Sequence, residues 1–230
     1  NMDERQVAQE LECSFESSGR TFFGQTVIEA TAQGTSLPSA YNGPNSKTKT
    51  DLWIWKTPVP GHKYVIPADV SRGDAEDYSA FHIINTTTWE QDAEYLGKIP
   101  PDRYGEYLAM IGTQYNTALI AQEKNSVGLA TAIKLRDLKY PNLYWPDLTP
   151  EDRMNMTEEE LAEKLPGFTT KPGAQPGNRE EILHMLEEVL RNRMIRINST
   201  RFTDQMGYFN WTGKRGQAAK GRSDDLIMSL

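Results

Sequence analysis

Two short apolar runs in this 230-residue chain end in a carboxylate: Tyr64-Val-Ile-Pro-Ala-Asp69 and Ala118-Leu-Ile-Ala-Gln-Glu123. A third acidic feature, Ser223-Asp224-Asp225, precedes Leu-Ile-Met-Ser-Leu. Taken singly, each has an ordinary explanation. An acid after a strand forms turns, and an aspartate behind a serine suits a helix N-terminus, where its charge meets the macrodipole. Taken together they point to metal chemistry. Carboxylates gathered at one edge repel one another by roughly several kcal/mol unless a cation neutralises them. An all-oxygen donor set selects hard ions such as Mg²⁺ or Mn²⁺. The single cysteine, Cys13, and the dispersed His62, His82 and His184 supply neither a thiolate zinc site nor a disulfide framework, so a metal here needs carboxylates.

Such a gathering requires the two acid-tipped runs to lie side by side and parallel, with their carboxyl ends on one edge of a sheet, where open α/β folds place their ligands. The surrounding pattern supplies the elements. Tyr64–Asp69 and AFHIIN at 80–85, separated by a turn, read as a hairpin of buried strands, with a third strand within Gln91–Lys98. Tyr104, Leu108, Ile111 and Tyr115 form the apolar stripe of a helix from Pro100 to Asn116, which would carry the chain across to Ala118–Glu123. Asn125 and Ser126 are candidate caps for a helix bearing Leu129, Ile133 and Leu135, and Leu143-Tyr-Trp145 is expected to be a fifth short strand. Thr149-Pro-Glu-Asp152 and Thr157-Glu-Glu-Glu160 have the form of capping boxes, and Arg179–Arg193 reads as a helix with Ile182, Leu186, Val189 and Leu190 on one face. Strands alternating with helices imply an α/β domain on a mixed sheet. Residues 1–58 are polar and turn-rich and read as a linker or remnant; residues 59–230 read as the domain.

Composition narrows the classes. Hydrophobic residues are 37% and charged residues 25%, with 5 Trp, 10 Tyr and 7 Phe, enough apolar mass for a core. No run approaches the ~20 apolar residues that span a bilayer, and the start lacks a secretory pattern, so a cytoplasmic protein is expected. The formal net charge is −7, yet positions 190–222 hold eight basic residues against the single acid Asp204, a net of +7. That stretch suits a polyanion, or is simply a solvated basic face. Lys214, Arg215, Lys220 and Arg222 run directly into Asp224 and are the candidates for holding a polyanion's phosphates. Tyr208, Phe209 and Trp211 are read as core aromatics rather than base-stacking ones, and His82 and His184 as packing residues.

YVIPADVSRGDAEDYSAFHII, ALIAQEKNSVG, GFTTKPGAQPGNREEIL and GRSDDLIMSL, in this order, resemble the nuclease domain of the large terminase subunit of tailed bacteriophages. AQELECSFESSGRTFF near the start is similar to the segment that joins the terminase ATPase domain to that nuclease. The most specific elements are D-x-S-x-G-x-x-x-D-Y-S-A and D-D-L-x-M-S-L. The resemblance implies an RNase H-like fold with mixed central sheet and flanking helices. It also implies a carboxylate triad at Asp69, Glu123 and Asp224, with Asp225 and Asp77 as further ligands, and cleavage of concatemeric viral DNA by two Mg²⁺ or Mn²⁺ ions, Asp69 bridging. The late acid pair more often follows His, where Ser223 stands here. No G-x-x-x-x-G-K-[ST] string is present, so the chain is expected to be a C-terminal part whose partners are double-stranded DNA, the ATPase domain of the full-length protein, and the portal and small terminase subunit, in the host cytoplasm and away from membranes. Two alternatives stay open: a junction-resolving nuclease on the same fold, and a non-catalytic motor module that docks and holds DNA.

Overall fold

The computed structural model describes residues 21–42, 51–73, 78–170, 178–213 and 215–230. Its centre is a six-stranded mixed sheet of β1 (Ala40–Asn42), β2 (Leu52–Ile54), β3 (Tyr64–Asp69), β4 (Ser79–Asn85), β5 (Glu90–Gly97) and β6 (Leu119–Gln122), in the order β1-β2-β5-β4-β3-β6. β3, β4 and β5 form an antiparallel meander, and β6 returns parallel to β3. That return is made by α2 (Pro101–Gln114), which begins with proline at its first turn and buries Tyr104, Leu108 and Ile111. A crossover helix of this kind is what a parallel neighbour requires.

Helices cover both faces. One core packs α2 and α3 (Gly128–Asp137) on Ile66, Phe81, Ile83 and Tyr95. Phe81 stacks on Tyr95 with ring centroids 5.2 Å apart, an arrangement that adds about 0.5–1.5 kcal/mol to simple burial. The other core gathers α1 (Gln25–Ala32), α6 (Arg179–Arg191), α7 (Thr200–Tyr208) and α8 (Asp225–Met228) around Phe23, Phe202, Phe209 and Leu226. Two short capped helices, α4 (Pro150–Asn155) and α5 (Glu158–Glu163), and a hairpin of β7 (Phe209–Thr212) with β8 (Arg215–Ala218) complete the described chain.

Phe22 and Phe23 are in the second core, and β1–β2 extend the central sheet through β5. Several expectations about local structure are corrected. Leu143-Tyr-Trp145 makes only an isolated bridge to Ile120. Leu129 is exposed, and α3 buries Thr131, Ala132 and Leu135 instead. Neither Asn125 nor Ser126 caps α3, whose N-cap is Val127 without a side-chain hydrogen bond. Asp77 and Lys214 lie outside the described residues.

The sheet's second face is unusually polar. Gln91 and Glu94 of β5 and His82 of β4 are fully buried. Arg201 Nε donates to Glu94 at 2.8 Å, and Gln91 Oε1 accepts from the backbone N–H groups of Asn198 and Ser199, tying the start of α7 to β5. His82 Nε2 lies 2.8 Å from the carbonyl of Leu226, which can only accept, so that nitrogen carries the proton; Nδ1 then accepts from Gln91 Nε2 at 2.6 Å. A neutral imidazole is what this wiring needs. Burial holds the His82 pKa below its ordinary 6.5, with Glu94 opposing in part. A group depressed in the folded state contributes stability above its unfolded pKa and loses it as pH falls. In urea titrations wild type is therefore expected to lose stability relative to His82→Gln as pH is lowered below about 6.5; the raised Asp69 carboxyl acts in the opposite sense in both proteins, so the difference between them carries the His82 contribution.

Candidate metal centre

The parallel pairing of β3 with β6 runs Val65 with Leu119, Ile66 with Ile120, Pro67 with Ala121 and Ala68 with Gln122. One step further, the same register sets Asp69 beside Glu123, and the Glu123 N–H donates to the Ala68 carbonyl at 3.0 Å. Register partners on adjacent strands share a face and sit about 4.8 Å apart along the hydrogen-bonding direction. Two acids distant in sequence are thereby neighbours.

The third acidic pair arrives on α8. Leu226 and Ile227 bury themselves in the second core, and the Leu226 N–H donates to Gln205 Oε1 at 3.0 Å. This docking brings Asp224 and Asp225 to a cleft of about 470 Å³ lined by Asp69, Val70, Ser71, Arg72, Val127, Arg179, Asp224, Asp225 and Met228. Asp224 occupies the N-cap position of α8 but makes no capping bond with its side chain, which settles the helix-cap explanation against it. Its Oδ2 accepts from Arg179 Nη2 at 2.9 Å and weakly from the Ala218 N–H at 3.4 Å. Asp225 is buried and accepts from the Ser223 hydroxyl, so the serine that stands in place of histidine is a direct partner of the site.

The electrostatics record the crowding. The Asp69 carboxyl is pushed up to about 8, first by its burial and then by the charges of Glu123, Asp225 and, least, Asp224; the hydrogen bond from the Val70 N–H opposes this. Such a group requires a proton or a cation beside it. Glu123 is held by two donors on one oxygen: Asn125 Nδ2, and Thr170 Oγ1 at 2.6 Å. The other carboxylate oxygen has no hydrogen bond from these two.

These residues fit a hard divalent cation by type: all donors are carboxylate oxygens, and Asp69 is destabilised as an anion. As they stand, no three His, Cys, Asp or Glu side chains among the described residues converge closely enough to hold an ion. The Asp224 carboxylate is engaged by the Arg179 guanidinium.

The motif residues between the acids have structural work. Ser71 accepts from the Gly73 N–H through Oγ, and its own N–H donates to Ser79 Oγ at 3.1 Å, folding the turn after β3. Gly73 has φ +77°, and a Cβ there would lie 2.4 Å from the Ile99 carbonyl oxygen. Arg215, Lys220 and Arg222 are exposed on and after β8, and the Arg222 guanidinium lies 4.3 Å from the Tyr208 ring centroid. The basic stretch is not uniform, since Arg201 is committed to Glu94. Phe209 is in the core as expected, Trp211 packs on Phe22, and Tyr208 is exposed beneath Arg222. Arg179 and Thr170 were not picked out from the sequence. Both lie in the GFTTKPGAQPGNREEIL block, whose order relative to the acids was the available signal.

No protein-family model matches the sequence. Solved structures do match the fold. The large terminase nuclease of thermophilic phage G20c, determined with bound magnesium, superposes with a TM-score of 0.58 over 88% of this chain and 93% of its own, at 16% identity. The chain has the RNase H-like fold of the phage large terminase nucleases. The Thermus phage P74-26 large terminase nuclease domain gives a TM-score of 0.59 over 88% and 90% of the two chains at 15% identity. The G20c terminase nuclease with bound cobalt gives 0.58 at 16% identity over 88% and 93%. The parallel β3–β6 pair sets Asp69 and Glu123 at one rim of the sheet.

The tightest backbone approach in the centre is at Gly128, where a Cβ would lie 1.9 Å from the Glu123 carbonyl oxygen. Gly128→Ala must push the start of α3 away from Glu123. It is expected to lower the unfolding free energy by about 1–3 kcal/mol in urea denaturation.

Proposed function

We propose that this chain is a divalent-ion-dependent DNA endonuclease that hydrolyses phosphodiesters of concatemeric viral double-stranded DNA during genome packaging. The observation that supports it most is the β3–β6 register, which continued one step sets Glu123 beside Asp69, itself in the cleft that Asp224 and Asp225 line. The fold shared with terminase nucleases, one of them with bound magnesium, favours the same chemistry.

On this reading Asp69, Glu123 and Asp224 would hold the divalent ions, two Mg²⁺ or Mn²⁺, with Asp225 supporting them; Asp77 belongs to the proposal but lies outside the described residues. Bound there, divalent ions supply a water-derived nucleophile at neutral pH and neutralise charge on the departing oxygen. The protein's own residues orient and hold. Asn125 and Thr170 fix the Glu123 carboxylate, and Ser223 fixes Asp225. Arg72 at the cleft, and Arg215, Lys220 and Arg222 exposed on and after β8, with Lys214 in the same run, hold backbone phosphates without reading sequence.

The partners that follow are double-stranded DNA, an ATPase domain of the same full-length protein, and the portal and small terminase subunit, in the host cytoplasm. No helix among the described residues is long and apolar enough to cross a membrane.

Supercoiled plasmid incubated with the protein and Mg²⁺ or Mn²⁺ tests the proposal. Nicking is expected with either ion, to stop with EDTA, and to fall more than about 100-fold in Asp69→Asn and in Glu123→Gln, the loss of barrier lowering being at least about 2.7 kcal/mol. Wild-type protein that binds plasmid but never cuts it would support a DNA-holding module instead.

A further inference from the structure

A cation already sits among the carboxylates. Arg179 lines the same cleft as Asp69 and Asp225, and its Nη2 donates to Asp224 at 2.9 Å and reaches the Gly216 carbonyl at 3.4 Å. The pair is sheltered, with side-chain exposures of 19% for Arg179 and 26% for Asp224.

Three features separate this contact from an ordinary structural bridge. First, it uses one nitrogen and one oxygen, whereas a guanidinium built to grip a carboxylate engages both oxygens with its fork. Arg179 Nε is meanwhile buried without a hydrogen-bond partner. Second, Arg179 opens α6, whose N-terminus is already satisfied by the capping box of Asn178 and Glu181. A positive side chain in the first turn opposes the helix macrodipole, so the helix gains nothing from its charge. Third, the cleft that Arg179 and Asp224 line is also lined by Asp69 and Asp225, so the guanidinium stands among the acids rather than at a distant surface.

We propose that Arg179 is a positioning residue that acts as an internal counter-ion. It holds Asp224 off the carboxylate cluster, and a divalent ion can take Asp224 as a ligand only by displacing the guanidinium. The inference rests on the metal-dependent reading above. It follows from competition: two cations cannot share one carboxylate at full strength, and a resident charge beside the site repels the incoming one. Arg179 thus keeps the resting centre short of one ligand, and the cost of opening the pair weakens ion binding.

Calorimetric titration of Mn²⁺ into wild type, Arg179→Gln, Arg179→Met, Asp224→Asn, Asp69→Asn and the double variant Arg179→Gln/Asp224→Asn decides the matter, with near-ultraviolet circular dichroism as the control for folding. Arg179→Gln and Arg179→Met should each bind Mn²⁺ about tenfold more tightly than wild type, although both delete a contact of the site. The gain should vanish when Asp224 is already Asn. Unchanged or weaker binding in folded Arg179 variants would overturn the latch, as would failure of both variants to fold, since Arg179 would then serve the structure alone. The metal-site reading fails separately, if wild type does not bind Mn²⁺ or if Asp69→Asn leaves its binding unaltered.

Discussion

The centre depends on one parallel strand pair. An antiparallel β6 would place its carboxyl end at the opposite rim of the sheet, and Glu123 would be separated from Asp69 by the length of the strand. The parallel pairing exists because α2 packs Tyr104, Leu108 and Ile111 on the sheet between β5 and β6. A slip of one residue would turn Glu123 to the other face, since side chains alternate along a strand. Register is held on both sides: Ile66 and Ile120 are fully buried, and the Ile120 carbonyl and N–H bond Tyr144 and Asn142. The apolar core therefore sets the position of the acids, and its burial outweighs the repulsion that raises Asp69.

The α8 acids are supplied differently. A four-residue helix has no stability of its own. It is held by Leu226 and Ile227 in the second core, by Gln205 on the Leu226 N–H, and by His82 on the Leu226 carbonyl. His82 belongs to a network that passes through Gln91 to the start of α7 and through Glu94 to Arg201. Buried polar groups of this kind are stable only when each finds a partner, and they fix one arrangement because a displaced element leaves partners unpaired. The placement of Asp224 and Asp225 is thus decided on the second face of the sheet, by residues that do not line the cleft.

What could be read in the sequence follows from this division. β3, β4, β5, α2 and β6 were legible because their apolar periods and their boundaries at Asp69, Pro100 and Glu123 are local signals. The pairing of Asp69 with Glu123 followed from requiring a parallel crossover. α7 and the β7–β8 hairpin were not legible, since Thr200–Tyr208 is amphipathic over little more than two turns and Phe209–Trp211 alternates for only a few residues. The inclusion of Phe22, Phe23, β1 and β2 in the domain was hidden for a related reason: short elements in a polar background earn their stability from partners far along the chain. Asn125 looked like a cap by type, but its amide serves Glu123, a role that only the closeness of Thr170 and the turn before α3 reveals.

Arg179 joins these threads. Its place at the start of α6 depends on Leu183, Leu186 and Leu190 packing in the second core, the same core that seats α8. Arginine and aspartate are therefore delivered to each other by one apolar cluster, whereas Asp69 and Glu123 are delivered by the sheet. A site assembled from two rigid parts can be switched by the interaction between them without unfolding either. The separation has a physical use: three carboxylates held permanently together would strain the fold before any cation arrived, and parking Asp224 on a guanidinium relieves part of that repulsion. The remaining strain stays on Asp69, which burial and its neighbours keep far above the ordinary carboxylate range.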